Sequence, residues 1–278
     1  MSAPVAQAAI APAAPAPVPA AAAPGPRPGM LVWEPAEGAA RRGTVVLLPG
    51  RGESPAVYQR FGRRLAADGY GVHVLALGPE PAPAEVAAAF AAVAGQAPAP
   101  VVLAGSDTGA LRALAAAREA GARPDGLVLA ALPLTDDTPP PGDWEEELAA
   151  RTSCPAHRGV LTADPAFGRG RFADRVPDAL LAPALNPAAA EAAAPVAAGP
   201  LPVLVLHGAA DPVAPPQAVR EFAAGLPAAV LVLVEDGRHD VLNDATHRSV
   251  AAQLVQWLER LRGGPDLPRL LTVEEPAR

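Results

Sequence analysis

Two acids, a serine and a histidine stand just beyond short apolar runs, where they could combine as nucleophile, general base and supporting carboxylate. The first cluster reads Val101-Val102-Leu103-Ala104-Gly105-Ser106-Asp107-Thr108-Gly109-Ala110 and leads into an Ala/Leu-rich stretch. A strand, a tight turn between small residues and a helix make a nucleophile elbow. Its tip residue is strained, and the residues two positions away must be small or the backbones collide. Centring the turn on Asp107 gives Gly105 and Gly109 as flanks; centring it on Ser106 gives Ala104 and Thr108. The spacing therefore puts Asp107 at the tip, with Ser106 as the alternative nucleophile. The same residues would also serve an ordinary glycine-rich turn with an Asp near a helix N-terminus.

Two later runs end in Leu206-His207-Gly208-Ala209-Ala210-Asp211-Pro212 and Glu235-Asp236-Gly237-Arg238-His239-Asp240. An acid after one strand and a histidine after the next can meet above a sheet. The carboxylate of Asp211 would then fix the tautomer of His239 and support its charge. Asp136 and Asp137 follow another strand and are the alternative acids. Leu47-Leu48-Pro49-Gly50-Arg51-Gly52-Glu53-Ser54 places two glycines after a strand, which lets backbone N–H groups turn toward a ligand, while Ser54-Pro55 reads as a helix cap.

The remaining candidates read as structural. His207 is a packed or loop-fixing residue, His73 lies in a strand, and His247 opens the last helix facing solvent. Cys154 and His157 are spaced to share a helix face, but two ligands make a weak metal case and the Cys reads as buried. Glu145–Glu147 reads as a solvated face.

The elements that position these residues alternate. Apolar runs at Thr44–Leu48, Val72–Leu77, Val101–Ala104, Gly126–Leu132, Val203–Leu206 and Val230–Val234 predict strands covered on both faces. Helices are predicted near Val57–Ala67, Ala84–Ala94, Gly109–Ala120, Pro216–Ala224 and Ala245–Arg262. The last puts Val250, Leu254, Trp257, Leu258 and Leu261 on one stripe. This is an α/β chain with a mostly parallel sheet and helices on both faces, whose ligands sit beyond the carboxyl ends of the strands. Residues 135–199 break the alternation and read as an inserted, partly helical lid. Residues 1–29 are an Ala/Pro-rich tail expected to be disordered, 30–264 form the domain, and 265–278 form a peripheral tail.

Composition bounds the function. Among 278 residues, half are hydrophobic, enough for a real core. A net charge of −7 argues against nucleic-acid binding, which needs a basic face. All 22 basic residues are Arg, so no lysine Schiff base or P-loop lysine is available. The single Cys allows no intrachain disulfide and no Cys-rich zinc site. No apolar run approaches the length of a membrane span. The expectation is a cytoplasmic protein with a small-molecule substrate, no cofactor and no metal. With 4% aromatic residues, its pocket should be lined by Ala, Leu and Val.

Over residues 30–135 and 200–262 the sequence resembles the α/β-hydrolase superfamily. It is most similar to the monoacylglycerol-lipase or serine-aminopeptidase-like branch, through Leu48-Pro49-Gly50-Arg51-Gly52-Glu53 and Gly237-Arg238-His239-Asp240-Val241-Leu242-Asn243. The resemblance implies Asp107 as nucleophile, Asp211 as acid, His239 as general base, and the backbone N–H groups of Arg51 and Thr108 as an oxyanion hole. That branch normally carries Ser at the elbow tip. An ionised Asp there attacks directly, as in the haloalkane dehalogenases and epoxide hydrolases of the superfamily. Thr108 stands where the dehalogenases usually have Trp, and the only tyrosines, Tyr58 and Tyr70, lie outside the lid. The resemblance thus implies a lidded hydrolase acting on a small, largely apolar substrate. A Ser106 esterase or lipase and a non-catalytic binding module are the alternatives.

Overall fold

The computed structural model describes residues 29–119, 121–135, 138–185 and 200–272. The tail before Gly29 and the alternative acids Asp136 and Asp137 lie outside them. The strands are β1 (Met30–Trp33), β2 (Gly43–Leu48), β3 (Tyr70–Leu75), β4 (Val101–Ser106), β5 (Gly126–Ala130), β6 (Val203–Gly208) and β7 (Ala229–Val234). They form one sheet in the order β1-β3-β2-β4-β5-β6-β7. Every neighbouring pair is parallel except β1 with β3. β1 is not among the predicted strands: its four residues, three half-buried and Leu31 exposed, lie at a sheet edge and carry too little alternation to read.

The central strands are apolar throughout because both faces are covered. Val45, Leu47, Val102, Ala104, Val128, Ala130, Leu204 and Leu206 point to one side, where α1 (Gln59–Ala67) and the last helix, α8 (His247–Gly263), bury them. Val46, Leu48, Leu103, Leu127, Leu129, Val203 and Val205 point to the other, against α2 (Pro83–Ala94), α3 (Thr108–Ala116) and α7 (Pro216–Ala224). The predicted stripe on α8 is fully buried. α3 stops at Ala116, short of the expected Ala120, because Arg118 and Glu119 leave the helical ladder in tight turns.

The insertion contributes α4 (Trp144–Arg151), α5 (Pro155–Ala163), a 3₁₀ turn at Arg171–Ala173 and α6 (Asp178–Ala184). Ser54 caps a 3₁₀ turn at Pro55–Tyr58, its oxygen accepting from the Ala56 N–H at 3.1 Å. Past Gly264 the chain stays packed through Leu267, whose carbonyl accepts from Arg260 at 2.6 Å. No described helix is long and apolar enough to cross a membrane.

Candidate active site

Asp107 stands between β4 and α3 with φ 51° and ψ −130°. A residue with a Cβ pays about 1–3 kcal/mol for such backbone. The packing around it explains the glycines. A Cβ on Gly105 would lie 2.2 Å from the Gly109 carbonyl oxygen, and one on Gly109 would lie 2.4 Å from that of Pro49. The elbow is therefore centred on Asp107. Ser106 is the last residue of β4, and its hydroxyl meets that of Tyr58.

Asp211 and His239 reach Asp107 from the ends of β6 and β7. Asp211 Oδ1 accepts from the Val213 and Ala214 N–H groups at 2.8 and 3.0 Å, which fixes the carboxylate in its loop. Its Oδ2 takes the Nδ1–H of His239 at 2.8 Å. His239 Nε2 then stands 3.4 Å from Asp107 Oδ1. The acid and histidine loops are knitted by the Ala210 N–H on the Gly237 carbonyl at 3.1 Å. His207 pins the acid loop, bonding the Ala214 carbonyl at 2.8 Å.

Arg51 completes the cluster in a way its sequence position did not announce. Its backbone N–H and Nε bond Asp107 Oδ2 at 2.8 and 2.9 Å, and its Nη2 bonds Oδ1 at 2.9 Å. Thr108 opens α3 and, with Arg51, lines the neighbouring cavity. Burial raises the pKa of Asp107, but Arg51 and His239 more than reverse it and hold the carboxyl below the usual carboxylate range. Burial likewise lowers that of His239, while Asp211 and then Asp107 push it up to about 10. Both shifts favour an imidazolium between two carboxylates.

The segment inserted between β5 and β6 packs over this cluster. Asp107 is 2% exposed and His239 1%. The Phe172 ring meets the His239 ring edge-on, with centroids 5.0 Å apart. Arg151 stacks on Phe172 at 3.9 Å and donates to the Arg51 carbonyl at 2.9 Å. Arg51 Nη1 donates to the Asp174 carbonyl at 2.9 Å, and the Gly168 N–H to that of Gly52 at 2.7 Å. Arg151 is itself held by Glu147 at 3.0 Å and Asp240 at 3.4 Å.

Several expectations change. Glu147 is buried beside Arg151, so only Glu145 and Glu146 of that run are solvated. Cys154 is buried, as expected; its thiol accepts from Arg60 at 3.4 Å, and the His157 imidazole pairs with Asp240 at 2.9 Å. His247 is half-buried, its Nδ1 on the Asp244 carbonyl at 3.0 Å. The cavity beside the elbow, about 420 Å³, is not simply aliphatic: Leu48, Leu75 and Leu77 share it with Arg51, Glu53 and Arg112. Composition could not reveal that lining, because charged side chains from distant segments converge there.

A parallel sheet with a strained elbow, an acid and a histidine at successive strand ends defines the α/β-hydrolase class. The match to a family model confirms it: residues 45–253 fit the alpha/beta hydrolase family, and the chain belongs to that family of hydrolases. No curated protein matches it in sequence. Solved structures share the fold at low identity. A soluble variant of monoglyceride lipase from Saccharomyces cerevisiae, bound to a substrate analog, superposes with a TM-score of 0.67 at 18% identity, covering 84% of this chain and 91% of that one. The monoacylglycerol lipase of Paleococcus ferrophilus gives 0.61 at 19%, over 84% and 98%. A thermophilic esterase from Thermogutta terrifontis gives 0.56 at 20%, over 84% and 93%.

Proposed function

We propose that the protein hydrolyses a small substrate through a covalent ester on Asp107, with His239 activating water and Asp211 supporting His239. The observation that carries this reading is the pairing at the elbow tip. Asp107, not Ser106, faces His239 Nε2 at 3.4 Å, and that histidine is bonded to Asp211.

The charge state supports the order of steps. An imidazolium cannot take a proton from a serine, so a Ser106 mechanism starts from the wrong protonation state. An ionised Asp107 needs no base. Its Oδ1 attacks the carbon bearing the leaving group, the leaving group departs with the bond's electron pair, and the ester is neutral. His239 has then lost one of its two carboxylates, its pKa falls, and it sheds its proton. It next takes a proton from water as the water oxygen adds to Asp107 Cγ. Charge develops on Oδ2, the oxygen that already accepts the Arg51 N–H at 2.8 Å. A donor so placed is worth about 2.7–4 kcal/mol of barrier. Collapse releases the product oxygen, which takes the proton from His239.

The cavity next to Arg51 sets the size of the substrate, and its mixed lining favours an apolar body with a polar edge over a wholly apolar one. Single-turnover hydrolysis in heavy-oxygen water tests the reading. The first product should carry ordinary oxygen, and the Asp107 peptide should gain the heavy isotope. Heavy oxygen in the first product, with none in Asp107, would refute the ester. Activity lost in Ser106→Ala but kept in Asp107→Asn would assign the chemistry to Ser106.

A further inference from the structure

Arg112 lines the cavity beside Arg51 and has no part in the steps above. It stands on α3 four residues after Thr108, which lines the same cavity, so the two share one face of the helix with Cβ atoms about 6 Å apart. Arg112 is 8% exposed. Its Nη1 donates to the Pro81 carbonyl at 2.8 Å and ties α3 to the loop between β3 and α2. Among the described residues that is its one hydrogen bond, and no carboxylate comes within ion-pair distance of it. Its Nε and Nη2 are not sealed in the interior. A buried cation is ordinarily paired with an anion, because a single carbonyl offsets little of the hydration it has lost. Burial accordingly draws the pKa of Arg112 below its ordinary value, by more than Glu80 and Asp107 raise it.

We propose that Arg112 binds the carboxylate of a small monoanionic ligand whose short aliphatic chain lies on Leu48, Leu75 and Leu77. Those three leucines supply apolar surface in the same cavity. With Nη1 held by Pro81, the edge formed by Nε and Nη2 is left as a fork, and a fork matches the two oxygens of a planar carboxylate. The other charges of the lining set the ligand's charge. Arg51 is occupied by Asp107, and Arg171 Nε stands 2.7 Å from Asp174. Glu80 and Asp174 also border the cavity and repel a second negative charge, which disfavours a phosphate dianion. The volume, about 420 Å³, falls in the range of small-molecule sites, about 300–1,000 Å³. The anchor itself requires no particular nucleophile. That the carboxylate belongs to the substrate rests on the reading above, which puts the substrate in this cavity.

The test compares octanoate with octanamide, which has the same chain and no charge. Each is titrated into the full chain at neutral pH, and binding is followed by NMR of the Leu75 and Leu77 methyl groups. Hydrogen bonds to a charged group should make octanoate bind about tenfold or more tightly than the amide. Arg112→Gln should remove that preference, leaving the two ligands within about threefold of each other and octanamide within about twofold of its wild-type affinity. The octanamide affinity also reports that the variant is folded. Arg175→Gln removes an exposed arginine of the same lining and should leave the preference in place. A wild type that binds the two ligands equally, or binds octanoate without perturbing either leucine, overturns the proposal without any variant. So does octanoate affinity unchanged in Arg112→Gln, or lost as fully in Arg175→Gln, since the anion would then be held by the general field of the rim. The heavy-oxygen experiment on Asp107 is untouched by all of these results, so the two readings fail separately.

Discussion

Replacing Asp107 by Asn should lower the pKa of His239 by several units. The imidazolium is held by two carboxylates, with Asp107 Oδ1 3.4 Å from Nε2 and Asp211 Oδ2 2.8 Å from Nδ1. At an effective dielectric of about 20, unit charges 3.4 Å apart interact by roughly 5 kcal/mol, or about 3.5 pK units. Removing that charge takes His239 from about 10 toward its ordinary range near 6.5. Arg51 stays and pushes in the same direction. Nitrogen-detected NMR of the imidazoles across pH reads this directly, with the His239 signal assigned by its loss in His239→Gln. Stability should follow. A raised histidine pKa contributes stability that is fully present below about pH 6.5 and lost as pH rises through about 10. The wild type should therefore weaken across that window, and Asp107→Asn should flatten the slope. A midpoint within one unit of wild type in the Asn variant, or a wild-type midpoint already near 7, would refute the electrostatic argument.

Three further outcomes follow from the same geometry. Arg51→Met leaves Asp107 buried without its guanidinium. Unfolding in denaturant should show a loss of about 3–5 kcal/mol, and a loss below about 1 kcal/mol would mean that the pair is not the main partner of Asp107. Gly105→Ala puts a Cβ 2.2 Å from the Gly109 carbonyl oxygen, so the elbow must move. Its thermal unfolding should fall by the equivalent of about 3 kcal/mol or more, with hydrolysis lost, and a variant with wild-type stability would place the elbow elsewhere. Phe172→Ala removes the ring packed edge-on to His239 and should cost about 3 kcal/mol. Compared in an Asp107→Asn background, where the imidazole is expected to be neutral, modification of His239 by diethyl pyrocarbonate should become faster, and an unchanged rate would show that Phe172 does not gate the site.

What the sequence made legible was local. Six strands could be read because each carries its own apolar run between turn residues. β1 could not, since pairing with β3 rather than its own pattern makes it a strand. The register at the elbow was readable because Gly105 and Gly109 bracket Asp107 within a single turn. The groups that complete the site come from far along the chain. Arg51 lies 56 residues from Asp107 and Arg151 lies 100 from Arg51. Neither pairing leaves a mark on local periodicity. Glu147 differs in part: its pairing with Arg151 is local, four residues along α4, and what local pattern does not show is the Gly170 N–H, 23 residues on, that meets its Oε2 at 2.6 Å.

The charges of the closed site explain why an aspartate elbow here comes with an arginine on the opposite loop. A serine site needs one carboxylate and one histidine, which balance when the histidine is charged. Putting Asp107 at the tip adds a second buried carboxylate beside Asp211, and His239 alone leaves an excess negative charge away from water. Arg51 supplies the missing cation, so Asp107, Asp211, His239 and Arg51 sum to zero. Breaking such a buried pair costs several kcal/mol, which favours a route that keeps most of it. The hydrogen bonds provide one. Of the Arg51 donors, the N–H and Nε both hold Oδ2, and Nη2 holds Oδ1, which also faces His239 Nε2 at 3.4 Å. A substrate that displaces the single Nη2 contact reaches the attacking oxygen, while the oxygen that must later carry charge keeps both its donors. The asymmetry of the clamp therefore fits a nucleophile held in reserve better than a permanently neutralised carboxylate.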